Sequence, residues 1–379
     1  MTGRQKMQAA LSGEGTKEFP AVICYEDLFI RDHWGQLTAC PWWYAQDTDI
    51  ERQTMWRSEA IPKIGQDWFS LPMGSTAADR ENVKICVRED GVFAVDRRTR
   101  GEQGERRLRE PKIGGEDYQP WNRPDAPKTP EEIDRYFPAA LPDPADIQKE
   151  GRKDLADRLI GGVCAELYPI SHITSPLQSC VWLFGFEGFM ANLIDSPALV
   201  KYACERFTSS IIYTVRQAKI LGAEALWVEE CYLDMIGPGM FEEFSMPYTA
   251  RVVEAIRSCG MKSIYYHTGD PAKKLKQILD IGADAISFEE SKKSFVIDIE
   301  DVVEQVQGRC AVFGNLDATH FLPACSYDEL KAEIKRFAEA GKKNRNRFVM
   351  STGSPVTPGT SVEKVRMYCD LVHEIGFGS

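Results

Sequence analysis

From residue 159 onward the chain repeats one grammatical unit: a short apolar, β-branched run that stops at polar side chains, followed by a helical pattern. Ser263 to Glu290 shows it twice over. Ile264-Tyr265-Tyr266 ends at His267; Asp270 and Pro271 are placed to open a helix as N-cap and first residue. Leu275, Ile278 and Leu279 give that helix an apolar face and Gly282 closes it, after which Ala285 to Phe288 ends at Glu289 and Glu290. Strands in such a series run parallel, so their carboxyl ends gather on one face.

Eight runs fit a strand, near residues 21, 68, 161, 226, 265, 286, 312 and 348. The run near 161 is Leu159 to Cys164. Helical patterns cover 178–193, 197–221 and 240–259, then Ser326 to Ala340 with a Ser326/Glu329 capping box, and a last helix from Thr360 to Gly376. Eight strands in this repetition predict an α/β fold of the (β/α)8 TIM-barrel type; no glycine-rich phosphate fingerprint follows any strand, which disfavours a dinucleotide-binding sheet. The expected organisation is one barrel domain over residues 1–379 with an N-terminal extension. A β-hairpin at 83–97 and a proline-rich excursion from Glu110 to Asp146 form an insertion over 83–150.

The net charge of -11 excludes nucleic acid as the expected partner, and no apolar run reaches membrane-spanning length. The first residues carry no apolar signal segment, and eleven cysteines show no paired spacing. The expected setting is the cytoplasm, with thiols reduced and mostly buried. Oligomeric state is left open.

The predicted strand ends supply Glu229 and Glu230, His267, Glu289 and Glu290, Asn315 and Asp317, and Ser351 and Thr352. His267 with one glutamate from each pair forms a His-Glu-Glu set suited to zinc acting as a Lewis acid on oxygen. A metal-free reading, with paired carboxylates as acid and base, stays open beside it. Adjacent strand residues face opposite ways, so one glutamate of each pair must point off the barrel axis. Tyr25, Trp182, Phe184 and Tyr232 are aromatic candidates for substrate contact.

From about Phe184 onward the chain resembles the uroporphyrinogen decarboxylase superfamily, and within it the cobamide-dependent methyltransferases. The carrying stretches are FGFEGFMANLIDSPALVKYACE, DMIGPGMFEEFSMPY, YYHTGDPAKKL, GADAISFEE, FGNLDATHFL and STGSPVTPGTSVEKV. The resemblance implies a barrel with its site at the carboxyl face. True decarboxylases carry an arginine-rich motif near the first strand, where this chain reads AVICYEDLFIRDHWG. Thiol-specific methyltransferases carry His-x-Cys and a later Cys as zinc ligands; here His267 is kept, HTGD replaces the first cysteine site, and Ser354 stands near the second. Glu290, with Glu289 beside it, matches the family's glutamate ligand. Loss of the soft ligands and retention of the hard ones implies an O-demethylase-type methyltransferase. It would move methyl from a small-molecule O-methyl donor, such as an aryl methyl ether, to cob(I)alamin on a separate corrinoid protein, since no D-x-H-x-x-G corrinoid motif is present. Asn315 and Asp317 are then candidates to orient the donor or relay a proton. The alternatives are a decarboxylase-like lyase and a methyltransferase using N-methyl or thiol substrates.

Overall fold

The computed structural model describes residues 1–99, 104–115, 121–292 and 294–377. Its strands are β1 (Ala21–Val22), β2 (Trp68–Ser70), β3 (Val83–Arg88), β4 (Gly91–Asp96), β5 (Glu105–Arg107), β6 (Tyr168–Thr174), β7 (Ala225–Glu230), β8 (Lys262–His267), β9 (Ala285–Phe288), β10 (Ala311–Phe313) and β11 (Phe348–Ser351). Eight of them form one parallel sheet in the order β1-β11-β10-β9-β8-β7-β6-β2. Between β1 and β2 the ring closes through Asp67, whose N–H donates to the Ala21 carbonyl at 2.8 Å. Its carboxylate accepts from the Ala21 N–H at 2.7 Å. The expected (β/α)8 TIM barrel is the fold.

Period-two alternation sorts the strand side chains into two cores. Cys24, Trp68, Tyr168, Ile170, Trp227, Ile264, Tyr266, Phe313 and Val349 fill the lumen. Ile23, Phe69, Ile173, Leu226, Val228, Tyr265, Ile286, Val312 and Met350 face the helices. The lumen is unusually aromatic. Trp227 stands at its centre, with ring centroids 4.8 Å from Tyr266, 5.7 Å from Trp68 and 5.9 Å from Phe313. The N-terminal extension is a helix, Gly3–Ala10, closed by a Thr2/Gln5 capping box. Its Met7 and Ala10 pack into the lumen cluster, so it plugs the barrel at the amino ends of the strands.

Five local expectations are corrected. Leu159 to Cys164 is no strand: Asp154–Ile160 is helical, and the barrel strand is Tyr168–Thr174. Gly161 and Gly162 stop the helix, and the alternating lumen residues Tyr168 and Ile170 carry the strand. Asp270 caps no α-helix; its carboxylate turns back to Ala272 N–H at 2.9 Å, and the helix begins at Leu275. The patterns at 178–193 and 240–259 each break into two helices, at Gly185 and at Ser245. The last helix starts at Val362 with Ser361 as its cap, one residue after Thr360.

The 83–97 hairpin is present as β3 and β4, and β5 adds a third antiparallel strand. Within the proline-rich excursion the short helix Pro130–Asp134 buries Ile133, and Asp134 accepts from Tyr202 on the helix Pro197–Leu221 at 2.9 Å. No single helix among the described residues is long and apolar enough to cross a membrane.

Asp67 also pairs with His373 at 2.8 Å and Lys6 at 3.4 Å, tying both ends of the chain to the closing point of the barrel. Asp67→Ala should therefore lower unfolding free energy by about 3 kcal/mol, since it strips buried donors of their acceptor. A urea titration measures this; an unchanged midpoint would contradict it.

Candidate active site at the carboxyl face

The mouth of the barrel is built from the lumen-facing residues at the strand ends. Cys24 and Tyr25 follow β1, Ser70 ends β2, and His172 lies near the end of β6. Glu229 points the same way from β7, with Ser287 on β9 and Glu289 just beyond it. Tyr25 adopts a left-handed backbone (φ 54, ψ 63), a conformation that costs a bulky residue roughly 1–2 kcal/mol. Its ring lies 5.7 Å from His172 and 6.0 Å from Tyr266.

Several polar atoms here are buried without a partner among the described residues: Tyr25 OH, His172 Nδ1, Ser287 Oγ and Glu290 Oε2. Buried polar groups are nearly always satisfied, so such a cluster marks a place for a polar ligand. His172 Nε2 lies 3.4 Å from Ser70 Oγ. Burial holds the His172 pKa below its ordinary value, and the charges of Asp27 and Glu229 oppose the shift. Burial likewise pushes the Cys24, Tyr25 and Cys231 pKa values up, with the charge of Glu229 adding to each. Glu229 accepts from Gln178 Nε2 at 3.1 Å and lies 3.2 Å from Cys231 Sγ.

Farther round the rim, Glu289 accepts from the Gly269 N–H at 2.6 Å. Glu290 binds Lys292 at 2.5 Å and Thr319 Oγ1 at 2.9 Å. A Cβ at residue 353 would collide with the Glu290 backbone nitrogen and sit 2.8 Å from the Glu289 carbonyl carbon, which explains the glycine after β11.

The expected zinc set does not come together. His267 faces the helix layer, its ring 6.1 to 6.4 Å from those of Phe241, Tyr265 and Phe288, and neither ring nitrogen has a hydrogen-bond partner of ordinary geometry among the described residues. Glu230 faces the same layer and accepts from Ser175 Oγ at 2.9 Å, Ser245 Oγ at 2.7 Å and Tyr265 OH. Burial raises the Glu230 pKa, against the pull of those hydroxyls. Glu229 and Glu289 lie on the lumen side. No three His, Cys, Asp or Glu side chains among the described residues converge as metal ligands. The residues present do not fit the metal as arranged.

Other candidates are placed as follows. Asn315 Nδ2 donates to the carbonyls of Glu289 at 3.2 Å and Ile297 at 3.0 Å, so it braces the rim. Asp317 accepts from the N–H groups of Thr319 and His320, each at 2.8 Å, which is loop capping. Thr352 Oγ1 accepts from Cys24 N–H at 2.9 Å, and Ser351 Oγ donates to the Thr352 carbonyl at 2.9 Å. Phe184 is buried in the helix layer and Trp182 is exposed on the helix Pro176–Phe184. Tyr232 packs on Phe186 at 5.6 Å, just past β7. Of the aromatic candidates, Tyr25 stands at the mouth itself. His172 escapes a sequence reading that puts the third barrel strand too early; the alternation Tyr168, Ile170, His172 is the available signal, whereas Cys231 directly follows the Glu229-Glu230 strand end that the sequence places correctly.

A model of the family described as Uroporphyrinogen decarboxylase (URO-D) matches residues 118–375. Uroporphyrinogen decarboxylase of Anaeromyxobacter dehalogenans (strain 2CP-C) is 29% identical over 193 residues, covering 51% of this chain and 53% of that protein. Uroporphyrinogen decarboxylase 2, chloroplastic, of Arabidopsis thaliana is 24% identical over 186 residues, covering 48% of this chain and 44% of its own. The chain thus spans about half the length of the curated relatives it matches. Among solved structures, a methyltransferase from Methanosarcina mazei superposes with a TM-score of 0.66 at 19% identity, covering 99% of both chains.

The burial of His267 makes a prediction independent of activity. Burial first, and then the charge of Lys274, lower its pKa to about 3. The unfolded chain therefore takes up the proton first as pH falls below about 6.5, and native stability drops between there and about 3. The slope from this group approaches about 1.4 kcal/mol per pH unit. Stability of His267→Gln, measured by urea unfolding from pH 7 to pH 4, should lose less on acidification than wild type; parallel curves would contradict the assignment.

Proposed function

We propose that this chain, which belongs to the uroporphyrinogen decarboxylase family, is a methyltransferase that moves methyl from an O-methyl donor to cob(I)alamin carried on a separate corrinoid protein. The donor class is an aryl methyl ether. The carrying observation is the chemistry of the mouth. It offers buried hydrogen-bonding groups and carboxylates, while its thiols, Cys24 and Cys231, are held protonated by burial and by Glu229. A thiol in that state is a poor nucleophile, so the methyl acceptor must come from outside the chain. The end-to-end likeness to a structure named as a methyltransferase supports the same reading.

In the reaction the O–CH3 bond breaks, the corrinoid co-substrate supplies the electron pair that takes the methyl, and the departing oxygen gains a proton. The protein's part is to stabilise charge that appears on that oxygen only as the bond breaks. His172 and Tyr25 suit this role: if Ser70 Oγ–H is donated to Nε2, the proton of the neutral ring lies on Nδ1. The Tyr25 hydroxyl, kept protonated by burial, is a second donor beside it. Both are pre-positioned and shielded from water, which strengthens their hydrogen bonds to a developing anion. Decarboxylation of a polycarboxylate suits this mouth poorly, because Glu229, Glu289 and Glu290 surround it and Lys292 is paired with two of them.

Purified chain mixed with a reduced corrinoid protein and 4-methoxybenzoate should convert cob(I)alamin to its methylated form, followed by absorbance. Conversion should need both the chain and the methoxy group. Activity with thiols but with no O-methyl compound would overturn the reading, as would decarboxylation of a porphyrinogen.

A further inference from the structure

Beside the mouth, a cavity of about 460 Å³ lies between the helices Glu26–Asp32, Trp34–Leu37 and Ile50–Ile64, within the ordinary size range of a small-molecule site. Trp34, Trp42, Trp56 and Ile30 line it, and Pro111 and Ile113 of the proline-rich excursion close one side. It carries two unmatched donors. Trp56 is buried and its indole N–H has no acceptor among the described residues. Arg57 stacks on the Trp56 ring at 4.0 Å and uses Nη1 on Gln53, at 3.0 Å to the carbonyl and 2.5 Å to the amide oxygen. No carboxylate among the described residues pairs with its guanidinium, whereas the other cation of the cavity, Arg31, is already paired with Asp32 at 2.8 Å. Burial lowers the Arg57 pKa to about 10 even though the charge of Asp27 opposes the shift. A guanidinium in that condition gains from an anion placed against it.

We infer that this cavity binds a planar aromatic carboxylate, its ring against the indoles and its carboxylate on Arg57 and the Trp56 N–H. Aromatic faces and a flat guanidinium suit a flat ligand, and a bidentate pair fixes its orientation. Asp27 lines the cavity and its charge also acts on His172, so the cavity adjoins the mouth. As the substrate cavity of a methyl transfer the assignment rests on the reading above; as a binding site it does not. The competing occupant is a quaternary ammonium ion: the three indoles and the carboxylates of Asp27, Asp32 and Glu110 favour it, and the guanidinium of Arg57, unpaired among the described residues, opposes it.

The test is calorimetric titration of the full chain, without corrinoid protein, with 4-methoxybenzoate, its neutral amide 4-methoxybenzamide, and tetramethylammonium. The acid should bind about tenfold or more tighter than the amide, as a charge-assisted hydrogen-bonded pair requires. Arg57→Gln should bring the affinity for the acid down to that for the amide, and Trp56→Phe should weaken the acid several-fold. The acid-to-amide ratio on wild type stands even if a variant fails to fold. Equal affinity for acid and amide, no binding of either, or preference for tetramethylammonium would overturn the inference. Acid binding without methyl transfer would overturn the proposed reaction alone; methyl transfer from neutral and anionic ethers with equal affinity would overturn this inference alone.

Discussion

Along a barrel strand, side chains alternate between the lumen and the helix layer, and this period of two decides which reactive groups can meet. The neighbours Glu229 and Glu230 are separated by it: one lies at the mouth beside Cys231, the other among Ser175, Ser245 and Tyr265. Tyr266 and His267 are parted in the same way. Every residue later assigned to chemistry lies on the lumen side of this division, and the most buried polar contacts of the helix layer lie on the other.

The two layers hold together by different means. In the helix layer the Glu230 carboxyl is costly to bury, and its hydroxyl donors join β7 and β8 to the helices Pro176–Phe184 and Met246–Ser258. A buried carboxyl with a full set of donors specifies one arrangement of those elements, because any shift strands it. In the lumen, packing does the work. Trp227 and its ring neighbours fill the interior to just below the mouth, so the polar groups above rest on a rigid aromatic floor. Tyr25 and His172 both contact the Trp227 ring, at 6.1 Å, which ties their placement to that floor.

Most of the barrel was legible because apolar runs with β-branched residues ended sharply in polar ones, as at β7, β8, β9, β10 and β11. The third barrel strand was not. Leu159 to Cys164 is as apolar as a buried strand, whereas Tyr168 to Thr174 mixes Pro169, Ser171 and His172 into its run. A short apolar run cannot by itself distinguish a strand from the end of a buried helix. That one displacement hid His172. The ligand set failed for another reason: the sequence places His267 at a strand end, but which face it takes depends on register, fixed here by the pairing of Tyr266 with Ser287 and of His267 with Phe288. Asn315 and Asp317 were found at the right height, and their hydrogen bonds are spent within the rim.

On the proposed reading, the lumen-facing His172 works and the outward-facing His267 supports the fold. This reading is tested most directly by comparing initial rates of corrinoid methylation by His172→Asn and His267→Asn, with folding of each checked by circular dichroism. A hydrogen-bonding group that acts in the transition state is worth about a hundredfold or more in rate. A loss of that order is expected for His172→Asn, and a rate within a few-fold of wild type for folded His267→Asn. The reverse pattern, with His172→Asn active and His267→Asn folded but inactive, would contradict it.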